Sequence, residues 1–409
     1  MPRQPSETGT PLGAGWKSAF ALAVVCSTAV KLYLAYATRG SADVEGFAYF
    51  LEKIRALGGV EIYTQYGIFG GLFNHPPFIV RYLRALGWLA DATRVPFRFW
   101  LRAPCVAADL LTFWAAWRVL GPAWRRKTAN RVAFLVLLLN PVSIWISGFH
   151  GNFDPLMICC VVLSIYLLER RGSAALGGLA YGAALGFKIV PAIFAPAFFL
   201  SIAGARRRAI FFLSAAAYFV VVSMPYLLEA PVRIARAVLG YSSLYGNWGW
   251  TWVLVHLLHS NPHFGGDQYY LTPRHALVQT FGKCLLLAAL FAASVWMNRR
   301  REKPALFFQC GALAFLFMFL TPGYGAQYQA WLIPWIVLLG LVPLLLHLST
   351  NGTFLTLAYG CWEFSNPYEP PCRDVPFKLL TLACWLTTFV VLVFYLRALR
   401  PTRAGVSTD

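Results

Sequence analysis

The chain has 409 residues, of which 58% are hydrophobic and 12% charged, with a mean hydropathy of +0.58. Those proportions exclude an ordinary soluble domain, in which about a quarter of the residues are charged. Lysine and arginine number 35 against 16 acidic residues, a formal charge of +19, yet the basic residues fall in short tracts between apolar runs. That arrangement signals membrane topology and attraction to anionic lipid, and no nucleic-acid partner is expected.

Apolar runs of about 17 to 25 residues recur along the chain, each able to cross ~30 Å of hydrocarbon as a helix. The ~10-residue alternation of a membrane barrel is absent. The expected fold is all-α: a polytopic transmembrane helical bundle of about 12 spans, read as a single membrane-embedded domain over residues 1–409. Trp16 to Ala37 is too long for the apolar part of a signal peptide and reads as a retained first span. Placing Arg125-Arg126-Lys127, Arg170-Arg171, Arg206 to Arg208, Arg299 to Arg301 and Arg397 to Arg403 in the cytoplasm fixes the parity of the crossings between them.

Residues 38–98 then form a first long outer loop with interfacial helices; Arg81 and Arg84 keep 76–92 at the interface, since arginine at mid-bilayer costs ~2.5 kcal/mol or more. Spans follow at 99–121, 131–149 and 154–169, with Phe149 to Asp154 as an outer hairpin tip. Ser173 to Ala203 begins and ends beside arginines, so it is two short spans turning near Lys188 and Pro191. After a span at 209–228 comes a second long outer loop, 229–273, and a return at 274–297. Spans 304–321 and 328–347 flank Thr321 to Gln327, and a short span at 353–364 and a last one at 376–397 complete the chain. This places Asn351-Gly352-Thr353 on the cytoplasmic side, and Cys361 and Cys372 in one outer loop where they can pair.

The same topology gathers Asp43, Glu45, His75, His150, Asp154, Lys188, Tyr324 and Gln327 on the outer face, from four separate loops. Asp43, just past the first span, suits a general base but also a helix N-cap. His75, before Pro76-Pro77, and His150, before Gly151, can each donate to a phosphate or simply occupy a turn. Asp154-Pro155 fits a helix start, and Asp109 a structural pair with Arg102, seven residues earlier on the same helical face. Lys188 is the only lysine between Lys127 and Lys283, placed where a lipid-linked phosphate would lie, although snorkelling explains it equally. No P-loop, dinucleotide fingerprint, zinc pattern or nucleophile elbow occurs, so neither metal nor cofactor is expected.

Several motifs in order carry a resemblance. Asp43-x-Glu45 after the first span, Ile62-Tyr63, Phe73-Asn74-His75-Pro76-Pro77, Arg102 to Asp109, Asn140-Pro141 with Gly148 to Asp154, Gly186 to Pro191, and Pro322 to Trp331 together resemble the GT-C superfamily of membrane glycosyltransferases. The likeness is to its lipid-linked mannosyl- and glucosyltransferases and extends to about residue 335. It departs at Gly325-Ala326-Gln327, where many relatives carry His-Glu, and at His75, where they carry Tyr.

The resemblance implies an inverting transferase that takes a hexose from a polyprenyl-phosphate donor on the side away from the cytoplasm, in a bacterial inner membrane or the endoplasmic reticulum. The acceptor would be a lipid-linked or cell-surface glycan. Asp43 then matches the base and Glu45 its neighbour, Lys188, His75 and His150 face the donor phosphate, and Asp154, Tyr324 and Gln327 contact substrate. Tyr63, Tyr66, Trp248, Trp250 and Trp252 are candidates for stacking on sugar. A transporter or flippase of a lipid-linked saccharide is the alternative; paired broken helices at mid-membrane would favour it.

Overall fold

The computed structural model describes residues 13–68, 72–241, 243–257, 264–265, 268–269, 273–364 and 375–399. It is almost wholly helical. Seven helices are long and apolar enough to cross a membrane, and three shorter apolar helices lie among them. The protein is an integral membrane protein.

The first helix, α1 (Ala14–Ala37), ends where Thr38 turns extended. Ser41 caps α2 (Ala42–Leu57) by accepting the Asp43 N–H, and Gly58 ends it. Pro77 opens α3 (Pro77–Thr93) at a position where its missing N–H costs nothing, and Arg94 closes it in the left-handed region. Helix α3 packs on α2 and on α4 (Phe97–Arg126), which bends at Gly121-Pro122. The next span is broken: α5 (Thr128–Leu138) stops before Asn140, whose side chain caps α6 (Pro141–Trp145), and a π turn at Ile146–His150 follows.

From there α7 (Asp154–Glu169) and α8 (Ala174–Phe187) form a hairpin, and the chain returns through a 3₁₀ turn and α9 (Ala195–Ser201). The hairpin packs on α10 (Ala205–Glu229) through a Gly178-x-x-x-Gly182 ridge. A Cβ at Gly178 would lie 2.1 Å from the Phe211 carbonyl oxygen, and one at Gly182 2.5 Å from that of Ala215. Such close backbone approach is how membrane helices gain dispersion energy without a hydrophobic driving force.

Beyond α11 (Pro231–Leu239) and α12 (Gly249–Leu257) come the long helix α13 (Pro273–Arg299) and the shorter apolar helix α14 (Leu306–Leu320). Leu244–Tyr245 pairs antiparallel with Gly323–Tyr324, tying the long segment after α10 to the turn after α14.

The spans expected at 328–347 and 353–364 are corrected here. Residues 326–339 form a broken stretch of 3₁₀ turns with α15 (Ile333–Ile336) in its middle, and Gly340 at φ +89° ends it. One helix, α16 (Leu341–Phe364), then runs back, before α17 (Val375–Ala398). Asn351 therefore lies mid-helix, fully buried, its amide donating to the His347 carbonyl 3.0 Å away, and not in a cytoplasmic loop. No charged residue interrupts this region, so only Pro334, Gly340 and Pro343 mark the turn. Cys361 is disulfide-bonded; Cys372 lies outside the described residues.

The described residues of the arginine tracts share one end of the bundle. Arg170 donates to the Val119 carbonyl, Arg207 to that of Leu168 at 2.8 Å, and Arg300 to that of Leu399. Asp43, His150, Asp154, Lys188 and Gln327 lie at the opposite end, as the alternation of these helices requires.

Candidate active site

At that opposite end a cavity of about 200 Å³ opens among α2, the segment before α3, the tip between the π turn and α7, and the break after α8. Its wall on α2 is Asp43, Gly46, Phe47 and Phe50, the spacing of one helical face. Glu45 lies some 200° round the helix from Asp43 and is exposed, so the two carboxylates do not meet. Because Ser41 is the cap, Asp43 is left free to point into the cavity.

Asp43 is met from the tip. Nε2 of His150 stands 3.1 Å from its Oδ2, obliquely, so the distance is that of a hydrogen bond and the angle is not. Asn152 donates its side-chain amide to the same oxygen. Enclosure by protein works to raise the Asp43 pKa, but attraction to His150, the His150 and Asn152 contacts and the more distant Lys188 outweigh it and hold it down at about 2.

The tip is positioned by backbone geometry. Gly151 sits at φ +80°, and a Cβ there would be 2.4 Å from Val44 Cγ2, so only glycine lets α2 come this close. Ser41 Oγ donates to the His150 carbonyl at 2.6 Å. Arg102, fully buried, donates to the carbonyls of Ala35 (2.7 Å), Thr38 (2.8 Å) and Phe149 (3.1 Å), joining the end of α1 to the π turn. The expected Arg102–Asp109 pair does not form. Asp109 instead accepts from Lys31 at 2.8 Å and from Ser143 at 2.6 Å, a buried cluster that ties α1, α4 and α6 together beneath the π turn. Both charges satisfied their partners across helices, which spacing along one helix cannot reveal.

Lys188 lines the cavity from the break where α8 ends and the chain turns extended. Its Nζ donates to Asp154 Oδ2 at 2.7 Å, and Asp154 Oδ1 accepts from Trp331 Nε1 at 2.6 Å. Asp154 is fully buried beneath the cavity and does not line it. It anchors Lys188, whose ammonium also sits 6.0 Å from the centre of the Tyr328 ring. His75 lines the cavity among the rings of Phe47, Phe73 and Phe153, at 5.3, 5.6 and 5.4 Å. Burial pushes its pKa down to about 3, with the Lys188 charge adding and Asp43 opposing, so it is neutral.

Gln327 lines the cavity, whereas Tyr324 is buried away from it, stacked at 4.3 Å on Trp248. Tyr63, Trp248 and Trp252 are core residues, and the aromatic wall is Phe47, Phe50, Tyr241 and Tyr328 instead. Asn74, Asn152, Tyr241 and Tyr328 were missed by the sequence reading. Asn74 and Asn152 flank two motif histidines, a signal within reach; Tyr241 lies in a loop without pattern. Among the described residues no group of three or more His, Cys, Asp or Glu could hold a metal ion.

The structure is thus a multi-pass helical bundle in which a carboxylate and an ammonium face one cavity at a single end. The chain belongs to glycosyltransferase family 87, whose model matches residues 73–322. The match begins after Asp43 and ends before α16. The chain is also similar to GPI mannosyltransferase 1 of Saccharomyces cerevisiae, 31% identical over 115 residues, which is 28% of this chain and 28% of that protein. Among solved structures it is similar to ArnT from Cupriavidus metallidurans bound to undecaprenyl phosphate, at 14% identity and a TM-score of 0.49, covering 94% of this chain and 78% of that one. Membership of that family agrees with the class of protein that the GT-C resemblance implies.

Proposed function

We propose that the chain moves a hexose, with inversion, from a polyprenyl-phosphate donor to a lipid-linked or cell-surface glycan acceptor on the non-cytoplasmic side of its membrane. The observation that carries this reading is the meeting of Asp43 and Lys188, from distant parts of the chain, on one cavity. An anomeric phosphodiester is already activated, so no nucleotide site is needed. Attack by an acceptor hydroxyl on C1 breaks the C1–O bond to phosphate, and the polyprenyl phosphate leaves with a second negative charge. Asp43 takes the hydroxyl proton, and Lys188, held by Asp154, stabilises the leaving phosphate.

The cavity's other walls suit such a donor. Ile68, Leu72, Ile189, Val190 and Val238 offer apolar contact to a prenyl chain, and Tyr241 and Tyr328 offer ring faces to a sugar. The arginine tracts at the far end support a non-cytoplasmic cavity through the positive-inside rule. The name of the yeast relative makes mannose the first sugar to test. A transporter would need ionisable groups exposed near mid-membrane; Lys31 and Asp109, the buried pair between α1 and α4, are instead sealed by Ser143.

The test is incubation of purified protein with labelled polyprenyl-phosphate mannose, polyprenyl-phosphate glucose and the matching nucleotide sugars, followed by product extraction. Label leaving a polyprenyl-phosphate donor is the expected result. Transfer from nucleotide sugars alone would overturn the donor assignment.

A further inference from the structure

Three amide side chains line the cavity, those of Asn74, Asn152 and Gln327. Asn152 is engaged at both ends: its amide nitrogen donates to Asp43, and its oxygen accepts from the Phe153 N–H at 2.7 Å. Lys188 is likewise held by Asp154, and the Tyr328 hydroxyl is shared with Ser243. Asn74 and Gln327 differ. Among the described residues neither of their side chains has a hydrogen-bond partner.

Both of these amides hang from backbone that is fixed around them. Phe73 is fully buried, its ring 5.2 Å from that of Phe50 and 5.4 Å from that of Tyr63. The Tyr63 hydroxyl donates to the His75 carbonyl at 2.9 Å, and Pro76 and Pro77 follow, so Asn74 sits on a pinned segment. Gln327 lies in the 3₁₀ turn Ala326–Trp331, where the Tyr328 N–H donates to the Gly325 carbonyl at 2.9 Å and the Tyr328 ring stacks on Trp331 at 4.3 Å. Gly325 leaves room for the amide, since a Cβ there would be 2.6 Å from Gln327 Oε1. Polar groups on rigid backbone, with their hydrogen bonds unmade, are what a cavity uses to orient a ligand.

Their places relative to the reacting groups say which part of a ligand they meet. Gln327 precedes Tyr328, whose ring lies under the Lys188 ammonium. Asn74 precedes His75, whose ring packs on Phe47, one turn along α2 from Asp43. In the reaction proposed above, on which this inference rests, C1 of the moving sugar lies between the base and the leaving phosphate. One amide therefore flanks the sugar from the phosphate side and the other from the base side. We infer that Asn74 and Gln327 are specificity residues that hydrogen-bond hydroxyls of the transferred sugar, each at a different ring position. A carboxamide offers both donors and an acceptor without charge, the complement of a hydroxyl, which also donates and accepts. Neither residue takes a proton or forms a bond in the transfer step.

The test uses polyprenyl-phosphate mannose, polyprenyl-phosphate glucose and the monodeoxy analogues of each, one for every hydroxyl of the sugar. Donor Kd and kcat/KM are measured for wild type, Asn74→Ala and Gln327→Ala. Neither substitution removes a hydrogen bond from the protein, so both variants should keep the wild-type Tm. Wild type should bind the analogue lacking a recognised hydroxyl about 5- to 100-fold more weakly, because a cavity amide is then left unpaired. In Gln327→Ala the penalty at one ring position should vanish while the others persist, and in Asn74→Ala the penalty at a different position should vanish. Uniform weakening toward every analogue, or penalties unchanged in both variants, would overturn the assignment. Position-specific binding penalties in a protein that transfers none of these sugars would uphold the assignment and count against the proposed reaction. Transfer that is indifferent to every hydroxyl would overturn the assignment and leave the reaction standing.

Discussion

Lys188 and Asp154 form a pair whose removal by halves and removal together should differ. Asp154 is fully buried and Lys188 nearly so, and each neutralises the other. Lys188→Met strands a buried carboxylate, a defect typically costing about 3–5 kcal/mol. Lys188→Met with Asp154→Asn removes both charges and should recover much of that stability while donor use remains impaired. Thermal unfolding and donor KM measured on the single and double variants check this; recovered donor use in the double variant would show that Lys188 does not contact phosphate. Snorkelling and phosphate binding were equally good readings of the lysine in the sequence, because its partner lies on another helix.

His75 gives a pH-dependent signature. Burial holds its folded pKa at about 3 against an ordinary 6.5. The unfolded chain binds a proton there as pH falls through about 6.5, and the folded chain does not until about pH 3. The stability contributed by neutral His75 is therefore complete above the unfolded value and declines as pH falls toward the folded one. His75→Phe, in a box already made of phenylalanines, should flatten the fall in Tm between about pH 7 and about pH 5. An unchanged slope would mean that His75 titrates normally.

At the scale of elements, the contact between α2 and the tip is the joint on which the site depends. Gly151→Ala would place its Cβ 2.4 Å from Val44 Cγ2 on a backbone at φ +80°. It should displace Asp43 from His150 and lower activity, with a loss of stability as well, since Val44 and Leu101 beside it are buried in the core. Val44→Ala in the same protein should restore part of the activity by removing the clash. Equal activity in the single and double variants would show that backbone strain alone, not the clash, matters.

The element order was largely legible in the sequence, because arginine tracts and apolar runs encode crossings directly. The two short spans turning at Lys188 were found from parity alone and appear as α8 and the 3₁₀ turn with α9. The span expected at 353–364 was not found there, since Leu341 to Phe364 is one helix preceded by irregular turns that no periodicity marks. Of the site, Asp43, His75, Lys188 and Gln327 were legible from loop motifs and do line the cavity. Glu45 shares the Asp43 motif but not its helix face.

For the whole molecule, the bundle separates its chemistry from its basic end. Buried ionic clusters, Lys31–Asp109 and Lys188–Asp154, fix helices against one another, while the one carboxylate of these sites that faces the cavity is Asp43. That division makes Asp43→Asn the sharpest variant: Ser41 already caps α2, so the fold does not need the charge. The measurement that tests the account most directly is single-turnover transfer from labelled polyprenyl-phosphate hexose by wild type and Asp43→Asn, with donor binding measured in parallel. The account predicts a rate lowered about 10²- to 10⁴-fold, the usual contribution of a general base, at unchanged donor binding. A fully active Asp43→Asn protein would contradict it.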